Sequence, residues 1–122
     1  MIHVNFRDPH PIYEQIKREI QRLIVTGALP AGSRLPSVRE LAAQLAINPN
    51  TIQRAYRELE EEGYSVTVSG RGSFVAESDA IAQQHRQAAE KQFLASVQEL
   101  VSLGYDSSSL TALIEKYTEG SK

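Results

Sequence analysis

Apolar side chains recur at three- and four-residue spacing in five stretches of the chain, with polar residues between them. This period places the apolar side chains on one face of an α-helix. Between the third and fourth stretches, two short runs are instead rich in β-branched and aromatic residues, as strands are. The pattern predicts helices over residues 11–26, 37–46, 49–62, 79–103 and 107–118.

Capping residues support the second and third of these helices. Ser37 and Glu40 have the spacing of a capping box, in which the serine accepts a backbone N–H and the glutamate reaches back. Asn48 is a favourable N-cap, and Pro49 fits the first helical position, where no N–H is needed. Gly63 follows the third helix and ends it. Two short helices joined by a tight turn are therefore expected between Ser37 and Gly63.

The two β-rich runs, residues 64–68 and 73–76, flank the sequence Ser69-Gly70-Arg71-Gly72. This arrangement predicts a β-hairpin with an arginine at its tip. The predicted fold is mainly α with a small β-hairpin: a winged helix-turn-helix followed by a two-helix tail. We expect the winged helix-turn-helix to form a domain over residues 1–76 and the helical tail to cover residues 77–122.

Composition excludes several classes of protein. The 122 residues include no cysteine, and the three histidines do not have metal-site spacing, so neither disulfides nor a metal site are expected. No apolar run approaches a membrane span, and the N-terminus does not resemble a signal peptide, which indicates a soluble cytoplasmic protein. No catalytic triad, phosphate loop or buried carboxylate pair is visible, so an enzyme is not expected and no cofactor is implied.

The net charge of −2 conceals an uneven distribution. Residues 1–76 hold nine basic and eight acidic residues, whereas residues 77–122 hold four and seven. Four of the eight acids lie together in the segment 58–62, which reads as the solvated end of the third helix. The rest of the first part is basic enough to permit a phosphate-binding face.

The third predicted helix has a polar stripe opposite its apolar one. Asn50, Gln53, Arg54 and Arg57 recur at i, i+3, i+4 and i+7. Amide and guanidinium groups can hydrogen-bond base edges or phosphates, so this helix suits the major groove of DNA. The acids at its far end would repel phosphate, so the N-terminal half should enter the groove. Taken alone, such a stripe is more often an ordinary solvated face than a DNA-contacting one.

Several motifs within residues 9–76 resemble the GntR family of bacterial regulators. They are Pro11-Ile12-Tyr13-Glu14-Gln15-Ile16, Leu29-Pro30-Ala31-Gly32-Ser33-Arg34-Leu35-Pro36-Ser37-Val38-Arg39-Glu40-Leu41-Ala42, Asn48-Pro49-Asn50-Thr51, Ala55-Tyr56, Leu59-Glu60, and Gly70-Arg71-Gly72-Ser73-Phe74-Val75. The resemblance implies double-stranded DNA as the partner.

The family pattern also implies roles for individual residues. The resemblance implies DNA contact by Arg39, the arginine of the Pro-Ser-x-Arg-Glu-Leu segment. It implies the same for residues at the start of the third helix, namely Asn50, Thr51, Gln53 and Arg54. It also implies that Gly72, in the predicted hairpin (the wing), reaches the minor groove. Pro49 departs from the pattern, since some members place a base-contacting arginine there. The candidate DNA-binding residues are Arg34, Ser37, Arg39, Asn50, Thr51, Gln53, Arg54, Arg57, Arg71 and Gly72.

The short C-terminal part is similar to the YtrA-type subgroup of the family, in which a helical tail serves dimerisation. Two helices bury little apolar surface alone, so a partner chain is expected, although folding back onto the winged helix is the alternative. A small-molecule effector could bind between two tails, but no residue of the sequence indicates one. The candidate dimerisation residues are Phe93, Val97, Leu100, Val101, Leu110, Leu113, Ile114 and Tyr117.

The sequence thus predicts a dimeric, sequence-specific transcriptional regulator, a repressor by analogy with the subgroup, acting on a pseudo-palindromic operator. The alternative is a winged-helix module for non-specific DNA or protein binding.

Overall fold

A computed structural model describes residues 2–120 of the chain. The helices and strands run in the order α1 (Ile12–Val25), α2 (Val38–Leu45), α3 (Pro49–Glu61), β1 (Ser65–Val68), β2 (Gly72–Val75), α4 (Ala80–Ser102) and α5 (Ser107–Gly120). The mainly α fold with one antiparallel hairpin confirms the predicted fold class. The chain forms two compact units, the first ending at His85 and the second beginning at Arg86.

The core of the first unit lies where α1, α2 and α3 meet. Ile16 and Ile20 of α1 and Ile52 and Leu59 of α3 are completely buried, as their helical spacing predicts. Burial of one such side chain stabilises the fold by roughly 1.5–3 kcal/mol. The apolar stripes therefore hold α3 against the core by one face only.

The turn between α2 and α3 is tight because both of its ends are capped. Ala46 has a left-handed backbone (φ 55°), and the N–H of Ile47 donates to the carbonyl of Ala42 at 3.0 Å. Asn48 Oδ1 accepts the N–H of Asn50 at 2.8 Å, and Pro49 occupies the first turn of α3. These contacts confirm the predicted turn and N-cap.

The wing is a two-stranded hairpin to which part of a preceding loop is added. Val66 pairs with Phe74, and Val68 pairs with Gly72. The loop before α2 contributes an isolated bridge between Arg34 and Phe74. The N–H of Leu35 donates to the carbonyl of Ser73 at 2.9 Å, and that of Val75 to the carbonyl of Ser33 at 2.8 Å. The base of the wing is therefore joined to the segment that leads into α2.

The second unit comprises the rest of α4 and all of α5. Gly104, with a φ of 100°, ends α4, and the N–H of Tyr105 donates to the carbonyl of Leu100 at 3.0 Å. Asp106 caps α5, since its Oδ1 accepts the N–H of Ser109 at 2.9 Å. Across residues 2–120, no helix is long and apolar enough to cross a membrane.

Candidate nucleic-acid interface

Helix α3 presents a polar surface that is fixed from behind. Ile52, Ala55, Tyr56 and Leu59 are buried, whereas the predicted stripe faces solvent. Thr51, near the start of the helix, is half-buried. The exposed side chains of the stripe are Asn50, Gln53, Arg54 and Arg57.

Helix α1 supports α3 through a network of charged side chains. Lys17 Nζ lies 3.0 Å from Glu58 Oε1 and 2.6 Å from Glu62 Oε2. Gln21 Nε2 donates to Glu62 Oε1 at 3.3 Å. Burial by itself would lower the pKa of Lys17, but the hydrogen bonds to Glu62 and Glu58 outweigh it, so the pKa is raised. These contacts hold the amino group protonated between the two helices.

The acidic run at the end of α3 is therefore more than the solvated helix end suggested by the sequence. Glu58 and Glu62 pair with Lys17, and Glu60 Oε1 accepts the backbone N–H of Thr67 in β1 at 3.0 Å. Glu60 thus connects β1 to α3, while Glu58 and Glu62 connect α1 to α3. Sequence reasoning missed Lys17 because its partners lie more than 40 residues away.

A tyrosine connects α3 to the start of α2. The Tyr56 hydroxyl donates to the carbonyl of Pro36 at 2.7 Å. Burial first, and the nearby charge of Glu40 second, raise the pKa of Tyr56, so it stays a donor. Ser37 Oγ accepts the N–H of Glu40 at 3.0 Å, as the capping box predicts, and is half-buried. Arg39 is exposed in the first turn of α2.

At the wing, two arginines are exposed. Arg71 lies at the hairpin tip, where its backbone N–H donates to the carbonyl of Val68 at 2.9 Å. The guanidinium of Arg34 lies close to Gly72. A methyl group added at Gly72 would be only 3.3 Å from Arg34 Nε. Gly72 has a φ of 108°, which L side chains rarely adopt. The structure thus brings the predicted residues Arg34 and Gly72 together, with Arg71 next in sequence.

The predicted dimerisation residues are all at least partly accessible. Val97, Leu100 and Leu110 are half-buried, while the other five are exposed. The structure also exposes apolar residues that the sequence interpretation omitted, namely Leu94, Leu103 and Tyr105.

A helix-turn-helix whose second helix carries an exposed polar face, followed by a basic hairpin, defines the winged helix-turn-helix class of DNA-binding proteins. Residues 12–75 match the family model described as "Bacterial regulatory proteins, gntR family". The chain belongs to the GntR family.

Two relatives come from Bacillus subtilis (strain 168). The HTH-type transcriptional repressor YtrA is 46% identical over 78 residues, covering 64% of this chain and 60% of YtrA. The uncharacterised HTH-type transcriptional regulator YhcF is 38% identical over 116 residues, covering 94% of this chain and 96% of YhcF. The similarity to YhcF extends through the tail, and both relatives are named as transcriptional regulators.

Two solved structures share this fold, one over most of the chain and the other over a part of it. A GntR family transcriptional regulator from Listeria monocytogenes matches with a TM-score of 0.78 and 41% identity, covering 91% of this chain and 98% of that one. The DNA-binding domain of AraR, solved in complex with operator ORX1, matches with a TM-score of 0.56 and 32% identity, covering 62% of this chain and 96% of that one.

Proposed function

We propose that this GntR-family regulator is a homodimeric, sequence-specific repressor that binds a pseudo-palindromic operator. The observation that carries the proposal is the exposed stripe Asn50, Gln53, Arg54 and Arg57 on a helix held by four buried residues. A rigid helix with such a face can place amide and guanidinium donors against base edges in the major groove. Two comparisons support this proposal: YtrA is named a transcriptional repressor, and the DNA-binding domain of AraR was solved in complex with an operator.

The N-terminal half of α3 is the half that enters the groove. Asn50 and Gln53 lie there without acidic neighbours in sequence, whereas Glu60 and Glu61 are exposed near its far end. Phosphates would be repelled at that end, whereas the positive end of the helix dipole favours them near the first turn. Arg39 at the start of α2 and Arg71 on the wing then flank the groove and bind the backbone.

The helical tail supplies the dimer. Phe93 and Val101 of α4 are 51% and 53% exposed, and Ile114 and Tyr117 of α5 are 47% and 76% exposed. A surface carrying this many large apolar side chains favours association with an apolar partner. A second copy of the same tail offers one, and a two-fold dimer would place two recognition helices on two half-sites.

The test is selection of bound duplexes from a random DNA library by the full chain, at ~150 mM salt to suppress non-specific phosphate binding. We expect an enriched inverted repeat. An Arg54→Ala variant should bind that repeat about 5- to 150-fold more weakly and lose selectivity at one or two positions. Arg18→Ala is the matched control, because Arg18 pairs with Glu14 on the exposed side of α1.

Two other results would contradict the proposal. Binding that falls with salt but enriches no sequence would indicate a non-specific DNA-binding module. Retained folding without any DNA binding would favour a protein-contact role for the winged helix.

A further inference from the structure

Arg54, at the centre of the polar stripe, is held by contacts from two helices. Its Cζ atom lies 3.7 Å from the centre of the Tyr13 ring in α1. Its Nε atom donates to Glu58 Oε2, one turn further along α3, at 3.4 Å. The face of the guanidinium therefore stacks on an aromatic ring while one edge is bonded to a carboxylate.

Both groups that hold Arg54 are themselves fixed. Tyr13 is half-buried and packs against the hydrophobic core. Glu58 is bonded to Lys17 through its other carboxylate oxygen, at 3.0 Å. Stacking on Tyr13 consequently limits a side chain that would otherwise sample many rotamers, although half of it is still exposed to solvent.

The position of Tyr13 follows from how α1 lies beside α3. Tyr13 contacts Arg54, Lys17 contacts Glu58, and Gln21 contacts Glu62. Each step of four residues along α1 matches a step of four along α3, so the two helices run side by side in the same direction. Tyr13 thus lies next to the N-terminal half of α3, the half proposed to enter the groove.

Stacking leaves the guanidinium able to recognise a base. The ring occupies the face of the group and Glu58 occupies Nε, so the N–H donors of the two terminal nitrogens lie in the plane and are available to an acceptor. Guanine offers O6 and N7 as a pair of acceptors to such a donor pair. Holding the plane before binding removes part of the entropy cost of ordering a long side chain.

We propose that Tyr13 is a positioning residue that fixes the Arg54 guanidinium for base recognition. The inference rests on the proposed function, in that Arg54 reads a base. It adds a specificity determinant from α1, outside the helix-turn-helix and the wing. Tyr13 acts through Arg54 and needs no contact with DNA of its own.

The test measures the affinity of the full chain for its selected operator and for every single base-pair variant of that operator. The variants are Tyr13→Leu, Tyr13→Phe, Arg54→Ala and the double variant of Tyr13→Leu with Arg54→Ala. Leucine keeps apolar bulk against the core but removes the aromatic face, and phenylalanine keeps the face and removes only the hydroxyl.

We expect Tyr13→Leu to weaken operator binding about two- to tenfold, the range of a partly exposed cation–π contact and its ordering effect. The loss should flatten the preference at the same base pairs as Arg54→Ala. Tyr13→Phe should match the wild type, and Tyr13→Leu should have no further effect once Arg54 is alanine. Thermal unfolding checks that each variant is folded, and Tyr13→Met replaces the leucine variant if that one is not.

Three results would overturn the inference. Tyr13→Leu could weaken all operators equally, which would indicate a general packing role. It could weaken binding just as much in the Arg54→Ala background, or it could leave the affinity for every operator unchanged. Failure of the proposed function is recognised separately, because the wild-type chain would then enrich no sequence at all.

Discussion

Lys17 Nζ lies 3.0 Å from Glu58 Oε1 and so joins α1 to α3 across 41 residues of sequence. The same amino group contacts Glu62, the C-cap residue of α3, one turn further along the chain. The hydrogen bond from Lys17 is the main cause that lowers the pKa of Glu58, and that from Arg54 adds to it. A single cation on α1 therefore holds the acidic side of α3 in place.

This pairing predicts a pH-dependent stability difference between the wild type and Lys17→Met. The pKa of Glu58 is lowered on folding, so its stabilising effect is complete above the ordinary value of 4.5 and is lost as pH falls through the lowered pKa. The pKa of Lys17 is raised, so its effect is complete below 10.5 and is lost as pH rises through the raised pKa. Urea unfolding across this range should show the largest difference near neutrality.

Arg18→Met is the control for that comparison. Arg18 is a neighbour of Lys17 but pairs with Glu14 within α1 alone. It should change the stability less than Lys17→Met. A Lys17→Met difference that is constant from acid to alkaline pH would refute the role of the pair.

Tyr56→Phe should destabilise the first unit by about 1 to 3 kcal/mol. The substitution removes the 2.7 Å hydrogen bond to the Pro36 carbonyl and leaves a partly buried acceptor without its donor. Equilibrium unfolding in urea measures the loss. Tyr13→Phe removes a hydroxyl that has no hydrogen-bond partner among the described residues and should leave the stability unchanged; equal losses in both variants would contradict the prediction.

Gly72→Ala should weaken DNA binding more than Gly70→Ala does. Both glycines have a positive φ, so alanine at either position costs about 1–2 kcal/mol in backbone conformation. Only at Gly72 does the added methyl also press on a neighbour, the guanidinium of Arg34. Titration of labelled operator with both variants, and with Arg34→Ala, compares the two effects. Equal affinities for the two glycine variants would show that the contact with Arg34 is irrelevant to binding.

Val101→Asp should convert the proposed dimer to a monomer. Val101 is 53% exposed on α4, and a carboxylate buried at an apolar interface is costly. Gln92→Asp introduces the same charge nine residues away, on the opposite side of the helix, and should leave the dimer intact. Sedimentation velocity distinguishes the two states, and a Val101→Asp variant that remains dimeric would exclude this surface.

Local signals were sufficient for most of the fold. The Ser37 and Asn48 caps, the proline at the start of α3 and the glycine after α3 act on residues within one turn, so sequence alone identifies them. The order of five helices and a hairpin and the membership of the GntR family are confirmed. The DNA-binding and dimerisation residues stay predictions.

Contacts between residues that are distant in sequence could not be predicted from local patterns. Arg34 lies in a segment punctuated by proline and glycine, without the alternation of a strand, yet its backbone pairs with Phe74. The run of acids after Arg57 looked solvated, yet Glu58, Glu60 and Glu62 each have a partner in another element. Neither relationship leaves a periodic signal within one stretch of sequence.

By itself, the sequence determined which segments become helices and strands, where they end, and which face of α3 is polar. These properties depend on backbone propensity, capping and side-chain periodicity over a few residues. Only the tertiary structure decided that Tyr13 stacks on Arg54 and that Lys17 faces Glu58, because such contacts depend on how two helices lie side by side. The direction of a long, charged side chain is set by the groups that surround it in space, and those groups come from distant parts of the chain.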